Sequence, residues 1–337
     1  MMKMKTKDNL RYGLFGVAFA VAASFAGAAN AQAVWKHGTL SAKSDAGFLF
    51  MAARRGFAEK LNIKLDIVQF KSDPTMLKAM LAGELDSYEG NPSSPMAAVS
   101  RGGDVKIIGC HWPALTYAMF VKKDGPIKTI ADLKGKRIAT SGPGALPDIF
   151  SRGVLKNAGL KPSDVELVNA GNDADRVGAL AAGIVDVAPS SSEFTPDLEK
   201  RGLRMLVHAQ EATPNFVRFC LYTTGKVLAT KREAAVRFVA AEMRGLDYAL
   251  KNKDAMVALS REVTRAAADD LKPAYIYDEA IRYKAITPDF GIPFDKLTYV
   301  RDLLAEVGFL DKPLDLKAMV DATVRDDAAR LSAARRE

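Results

Sequence analysis

Apolar residues along the chain recur at two spacings, and the alternation between them predicts the fold. Residues 64–70 (Lys-Leu-Asp-Ile-Val-Gln-Phe) alternate as a half-buried strand does, whereas Phe48, Leu49, Ala52, Ala53 and Phe57 fall on one face of a helix over 48–60 that Ser44 or Asp45 would cap. A strand over 37–42 precedes that helix. A second helix opens at Pro74 and closes at Gly83; a short strand begins at Asp86 and runs into Gly90-Asn91-Pro92-Ser93; Ser94-Pro95 starts a third helix, and 105–110 is a fourth strand. Strands and helices in strict alternation imply a parallel sheet with helical crossovers.

The β-prone residues 115–121 then lead out of this first unit, and a second series follows. It comprises a short helix at 130–133, a strand at 136–140, the loop Ser141-Gly142-Pro143-Gly144-Ala145, a helix at 148–158, a strand at 165–168, a helix at 174–182 and strands at 185–188 and 203–207. Residues 219–223 read as the return crossing. Helical spacing dominates 231–258 and 297–307, and the charged tail 325–337 is expected to fray. The second series repeats the first: Leu81-Ala82-Gly83-Glu84-Leu85-Asp86 is echoed by Ala181-Ala182-Gly183-Ile184-Val185-Asp186. Gly83 and Gly183 suit left-handed helix ends. In both copies the strand after the aspartate opens into small hydroxyl residues, at the carboxyl ends where open α/β sheets bind ligands. The expected architecture is therefore α/β with two lobes, one formed by 32–118 and 223–337 and the other by 119–222, each a mainly parallel sheet flanked by helices.

Composition narrows the function. The chain has 337 residues, 48% hydrophobic and 26% charged, with a formal charge of +8. Residues 1–31 carry +3 of it, in a basic start followed by an apolar run over 12–25 and Ala29-Asn30-Ala31, the pattern of a cleaved secretory leader with no cysteine for a lipid anchor. The remaining charge of about +5 is dispersed among acids, which argues against nucleic-acid binding. His37, His111 and His208 lack metal-ligand spacing, no Gly-x-Ser-x-Gly elbow is present, and Ser141-Gly142-Pro143-Gly144 lacks the Lys-Ser/Thr ending of a P-loop. No catalytic residues, metal or cofactor are expected. Cys110 and Cys220 either pair, each being near a crossing, or serve as two buried apolar side chains.

Several short motifs, in order through most of the chain, carry a resemblance. They are Phe70-Lys71-Ser72, the two Ala-Gly-x-x-Asp segments, Arg101-Gly102-Gly103-Asp104-Val105-Lys106-Ile107, Ile130-Ala131-Asp132-Leu133-Lys134-Gly135-Lys136-Arg137-Ile138-Ala139 and Gly159-Leu160-Lys161-Pro162-Ser163-Asp164-Val165. Together they resemble the periplasmic substrate-binding proteins of ABC importers for nitrate, taurine and alkanesulfonates, grouped with binders of thiamine pyrimidine precursors. The resemblance implies a type II periplasmic-binding-protein fold that closes by hinge motion on one small molecule and presents it, as a monomer, to a membrane permease with its ATPase. Its ligand contacts map onto Ser44 and Asp45, Asn91 and Ser93, Ser141 and Gly142, and Ser190, Ser191 and Glu193. Many relatives have a Trp-Glu-Pro-like segment where this chain has Ser192-Glu193-Phe194.

Helix N-termini near Ser44, Ser94 and Ser141 would favour a sulfonate, carboxylate or nitrate-like anion, with Lys43, His111, Arg176 or Arg218 as charge partner and Trp112, Tyr88 or Phe216 for stacking. Asp45, Glu89, Asp148 and Glu193 leave open an amine or pyrimidine instead, and each hydroxyl could equally be a helix cap. An enzyme on this scaffold is the more distant alternative, since the pyrimidine-synthase relatives depend on a cysteine-rich motif and iron.

Overall fold

A computed structural model describes residues 32–334; the expected leader, residues 1–31, lies outside the described residues. The chain forms ten strands in two sheets among the described residues. The first sheet contains β1 (Ala33–Leu40), β2 (Ile63–Phe70), β3 (Ser87–Gly90) and β4 (Lys106–Trp112). The second contains β5 (Tyr117–Lys122), β6 (Arg137–Thr140), β7 (Glu166–Asn169), β8 (Val187–Ser191) and β9 (Leu203–His208). The last strand, β10 (Phe219–Thr223), returns to the first sheet.

The orders, β2-β1-β3-β10-β4 and β7-β6-β8-β5-β9, are the same plan twice. In each sheet one strand runs antiparallel to its neighbours: β10 between β3 and β4, and β5 between β8 and β9. Each of those strands has just arrived from the other lobe. The passages are consequently residues 113–116 and 209–218, so Phe219–Thr223 is not the crossing itself. Its five residues are buried and fill the slot between β3 and β4. Cys110 on β4 and Cys220 on β10 are joined by a disulfide beside both passages.

One apolar core lies between the first sheet and the helix Gly225–Lys251, around Trp35, Phe48, Phe238 and Phe290. There Gly245 allows close approach, since a Cβ would stand 2.7 Å from the Ala52 backbone nitrogen. A second core runs from Met76 and Tyr88 through Tyr117 and Phe150 to Leu303, continuous from one sheet to the other. The helix Phe294–Glu306 lines this junction and packs against both Ser93–Ser100 and Leu146–Asn157.

Two local expectations change. The helix over 48–60 is broken into Ala46–Leu49 and Met51–Arg54, followed by Gly56 at φ 77° and a single turn at Glu59–Leu61. The charged tail is helical over Ala322–Ala333, because Val324 and Ala328, four apart on one face, are fully buried against the first lobe's core.

Candidate functional site

The ends of β1, β3 and β8 lead into loops whose side chains meet across the lobes or beside the seam between them. After β1 come Lys43, Ser44 and Asp45; after β3, Asn91 and Ser93; at and beyond the end of β8, Ser191, Ser192 and Glu193. Of these, all but Lys43 are buried. β8 accommodates Pro189 because its pairing with β6 is confined to Ile138 and Val187, and the Pro189 carbonyl instead accepts a 2.7 Å hydrogen bond from Arg176 Nε.

The backbone donors at these strand ends are filled by the chain's own side chains. Ser44 N–H donates to Glu193 Oε2 across the lobes (3.0 Å), Ser191 N–H to Asp173 Oδ1 (3.1 Å), and Gly144 N–H to Asp148 Oδ2 (2.7 Å). Asn91 donates to Asp73 through N–H (3.3 Å) and Nδ2 (2.9 Å), and its Oδ1 accepts from Ser93 N–H at 3.0 Å. The helix ends are therefore not vacant seats for an incoming anion.

Lys43 links the lobes through a 2.8 Å ion pair with Asp173, which also accepts from Tyr117 Oη (3.1 Å) and pairs with Arg176. Arg218, in the second passage, pairs with Asp45 and Thr116 Oγ1 while its guanidinium lies 4.1 Å from the Trp112 ring centre. Burial opposes ionisation of Asp173, but Lys43 and Arg176 hold it well below the usual carboxylate range. Glu193 is raised by burial, with Asp45 and Asp173 adding to the effect and Lys43 opposing it. Burial pushes Asp73 up to about 6, outweighing the Asn91 hydrogen bonds.

Among the described residues, the buried side-chain donors without a hydrogen-bond partner include Ser93 Oγ, Ser191 Oγ and Trp112 Nε1 at these strand ends, as well as the Tyr88 and Tyr222 hydroxyls in the core that spans the sheets. A buried polar atom left unpaired costs ~1–3 kcal/mol, which a ligand atom can recover. The indole N–H can only donate, so whatever meets Trp112 must present an acceptor.

Ser44, Asp45, Asn91, Ser93, Trp112, Ser191 and Glu193 thus border the seam or its strand ends. Ser190 is adjacent, but its hydroxyl is spent on the Pro189 and Asp173 carbonyls. Ser141 is exposed and Gly142 half-buried, and the helix Leu146–Asn157 is capped at Ala145 with no side-chain bond. Ser94 is likewise not a cap but lies inside Ser93–Ser100. Phe216 is fully buried in the core that spans the sheets.

His111 is buried in the first lobe, next to the core that holds Trp112, Phe219 and Phe290. It packs against Phe290 and places Nε2 3.1 Å from Glu89 Oε2, off the line of a well-formed hydrogen bond. Glu89 also accepts from Thr39 Oγ1 at 2.5 Å and, despite burial, is lowered by its His111, His37 and Thr39 contacts. These buried groups brace β1, β3 and β4. Asp73 and Asp173 were missed in the sequence; their signal is the hundred-residue repeat, which puts an aspartate at the first helical residue in both copies.

A family model described as NMT1/THI5 like matches residues 43–256. An Escherichia coli (strain K12) protein named as a candidate aliphatic sulfonates-binding protein is 30% identical over 145 residues, 42% of this chain and 45% of that one, so the match spans under half of the relative. Among solved structures, the alkanesulfonate-binding protein SsuA from Xanthomonas axonopodis pv. citri, bound to MOPS, superposes with a TM-score of 0.72 at 19% identity, covering 86% of this chain and 98% of that one. The desulfurization enzyme DSZB has the same fold, with a TM-score of 0.66 at 16% identity over 89% of this chain and 99% of the enzyme.

Proposed function

Because the chain belongs to the NMT1/THI5-like family, we propose that it is the periplasmic solute-binding component of an importer, exported by a leader ending at residue 31 and delivering a small sulfonate or related oxyanion to a membrane permease. The carrying observation is the set of unpartnered buried donors, Ser93 Oγ, Ser191 Oγ and Trp112 Nε1, contributed by both lobes around the Lys43 bridge. Sulfonate oxygens are acceptors and match them. The alkanesulfonate-binding relatives support the same ligand class.

Binding without catalysis is the reading that side-chain chemistry favours. Cys110 and Cys220 are joined in a disulfide, so neither offers the free thiol that a cysteine nucleophile needs.

Four carboxylates, Asp45, Asp73, Asp173 and Glu193, face three cations, Lys43, Arg176 and Arg218, and this excess favours an amine or pyrimidine as the second reading. A thermal-shift screen of the chain from Gln32 separates the two. A ligand at ~100 times its Kd adds about 2.7 kcal/mol and moves Tm by several degrees. Sulfonates alone should shift the wild type, and Ser93→Ala with Ser191→Ala should weaken that binding about tenfold. A shift with amines or pyrimidines only would replace the anion reading by the second one.

A further inference from the structure

Glu279 is not among the strand-end residues, yet its carboxylate reaches them. It sits on the helix Lys272–Arg282, which packs into the first lobe's core through Ile276, Tyr277 and Ala280. From there it accepts a 2.5 Å hydrogen bond from Ser192 Oγ, just beyond β8, and a second from His208 Nε2 at the end of β9. The tautomer follows from the other ring nitrogen: His208 Nδ1 accepts from Gln210 N–H at 3.1 Å, so the hydrogen is on Nε2, directed at Glu279. Tyr283, one residue past the same helix, stacks on the imidazole with ring centres 4.7 Å apart and planes 13° from parallel. Lys272, at the other end of the helix, pairs with Asp197 at 3.0 Å.

Ser192 is followed directly by Glu193, which crosses in the opposite direction to accept from Ser44 N–H. Two adjacent residues of the second lobe thus engage the first lobe reciprocally, one as donor and one as acceptor. Glu279, Ser192 and His208 are each at most 5% exposed, so separating the lobes at this seam would expose or orphan polar groups that are fully paired while it is closed.

We propose that Glu279 is a positioning residue, an interlobe latch that holds Ser192 and thereby keeps Glu193 on the first lobe's Ser44 loop, setting how readily the site opens. Its effect on ligand release rests on the binding-protein reading; the latch itself does not. Ser192→Ala removes one of two lobe-crossing donors to Glu279 and leaves the other, His208 Nε2, in place. In the ligand-free protein, hydrogen–deuterium exchange should then rise about fivefold in peptides covering both 190–197 and 43–50, and Ser192→Thr should restore both.

Ser192 Oγ bonds to Glu279 whereas it is Glu193 that bonds to Ser44, so faster exchange confined to 190–197 and 272–282 would reduce the contact to local packing and overturn the latch. Unchanged exchange everywhere would do the same. Glu279→Met, which keeps the length of the side chain but removes both acceptors, provides the second variant and should give the same two-segment pattern. With a sulfonate that shifts Tm, Ser192→Ala should also speed dissociation about fivefold with little change in association. If no tested compound binds, the ligand reading fails while the exchange experiment still decides the latch.

Discussion

Asp73 and Asp173 occupy the same place in the two copies of the repeat and carry opposite electrostatics. Each begins a helix, Asp73–Leu81 or Asp173–Ala181, and each accepts the backbone N–H of the residue 18 positions later, Asn91 or Ser191. Farther along, Gly83 and Gly183 end the helices at φ 81° and 75°. Asp86 and Asp186 then each accept, at 2.9 Å, the N–H of a residue in the neighbouring strand, Lys36 and Arg137. Backbone chemistry is repeated almost atom for atom. Yet Asp173 is held ionised by Lys43 and Arg176, whereas Asp73, meeting an amide, is pushed up to about 6 by burial. The repeat fixes where a carboxylate stands, and the groups packed around it, Lys43 and Arg176 in one copy and Asn91 in the other, fix its charge.

The sharpest way to break this comparison is to remove each carboxylate. Asp173→Ala strands Lys43 and Arg176 without their common acceptor and should cost about 3–5 kcal/mol in urea unfolding at pH 7. Asp73→Asn exchanges a carboxylate that burial disfavours for a neutral acceptor and should stay within about 1 kcal/mol. Equal losses at the two sites would show that the partner does not matter.

Titration gives the next largest effect. Asp73 is raised, so its stabilising contribution is complete below the unfolded value near 3.8 and is lost as pH rises through about 6, a change of about 3 kcal/mol. The stability of the wild type minus that of Asp73→Asn should fall by up to that amount between pH 4 and pH 7, and a flat difference would contradict the assignment. His37 runs the other way. Burial lowers it to about 4, so its contribution is present above about 6.5 and is lost as pH falls towards 4. His37→Gln should remove that acid-side slope, which unfolding midpoints across the same pH range would measure.

The smallest effect tests the shared half of the repeat. Gly83 and Gly183 have open space or only a distant Lys122 amine where a Cβ would project, so replacement by alanine should cost about 1 kcal/mol at each through the positive φ alone. The two costs should match, and ligand affinity should not change. Unequal losses by thermal denaturation would mean that the copies are less alike than their backbones.

The two-lobed α/β architecture was determined by sequence alone, because spacing, helix-ending glycines and strand-initiating aspartates are local signals that survive in each copy. The same signals located the strand ends at Ser44, Asn91, Ser93, Ser191 and Glu193. Only the tertiary structure decided what each polar group there faces: Glu193 on Ser44 N–H, Arg218 between Asp45 and Trp112, His111 turned to Glu89, and Ser141 left at the surface. It also decided that the charged tail docks, through two small side chains, and that Glu279 joins Ser192 from 87 residues away. Local pattern encodes backbone geometry, but a side chain's charge and its bonding depend on neighbours that the chain delivers from far away in sequence.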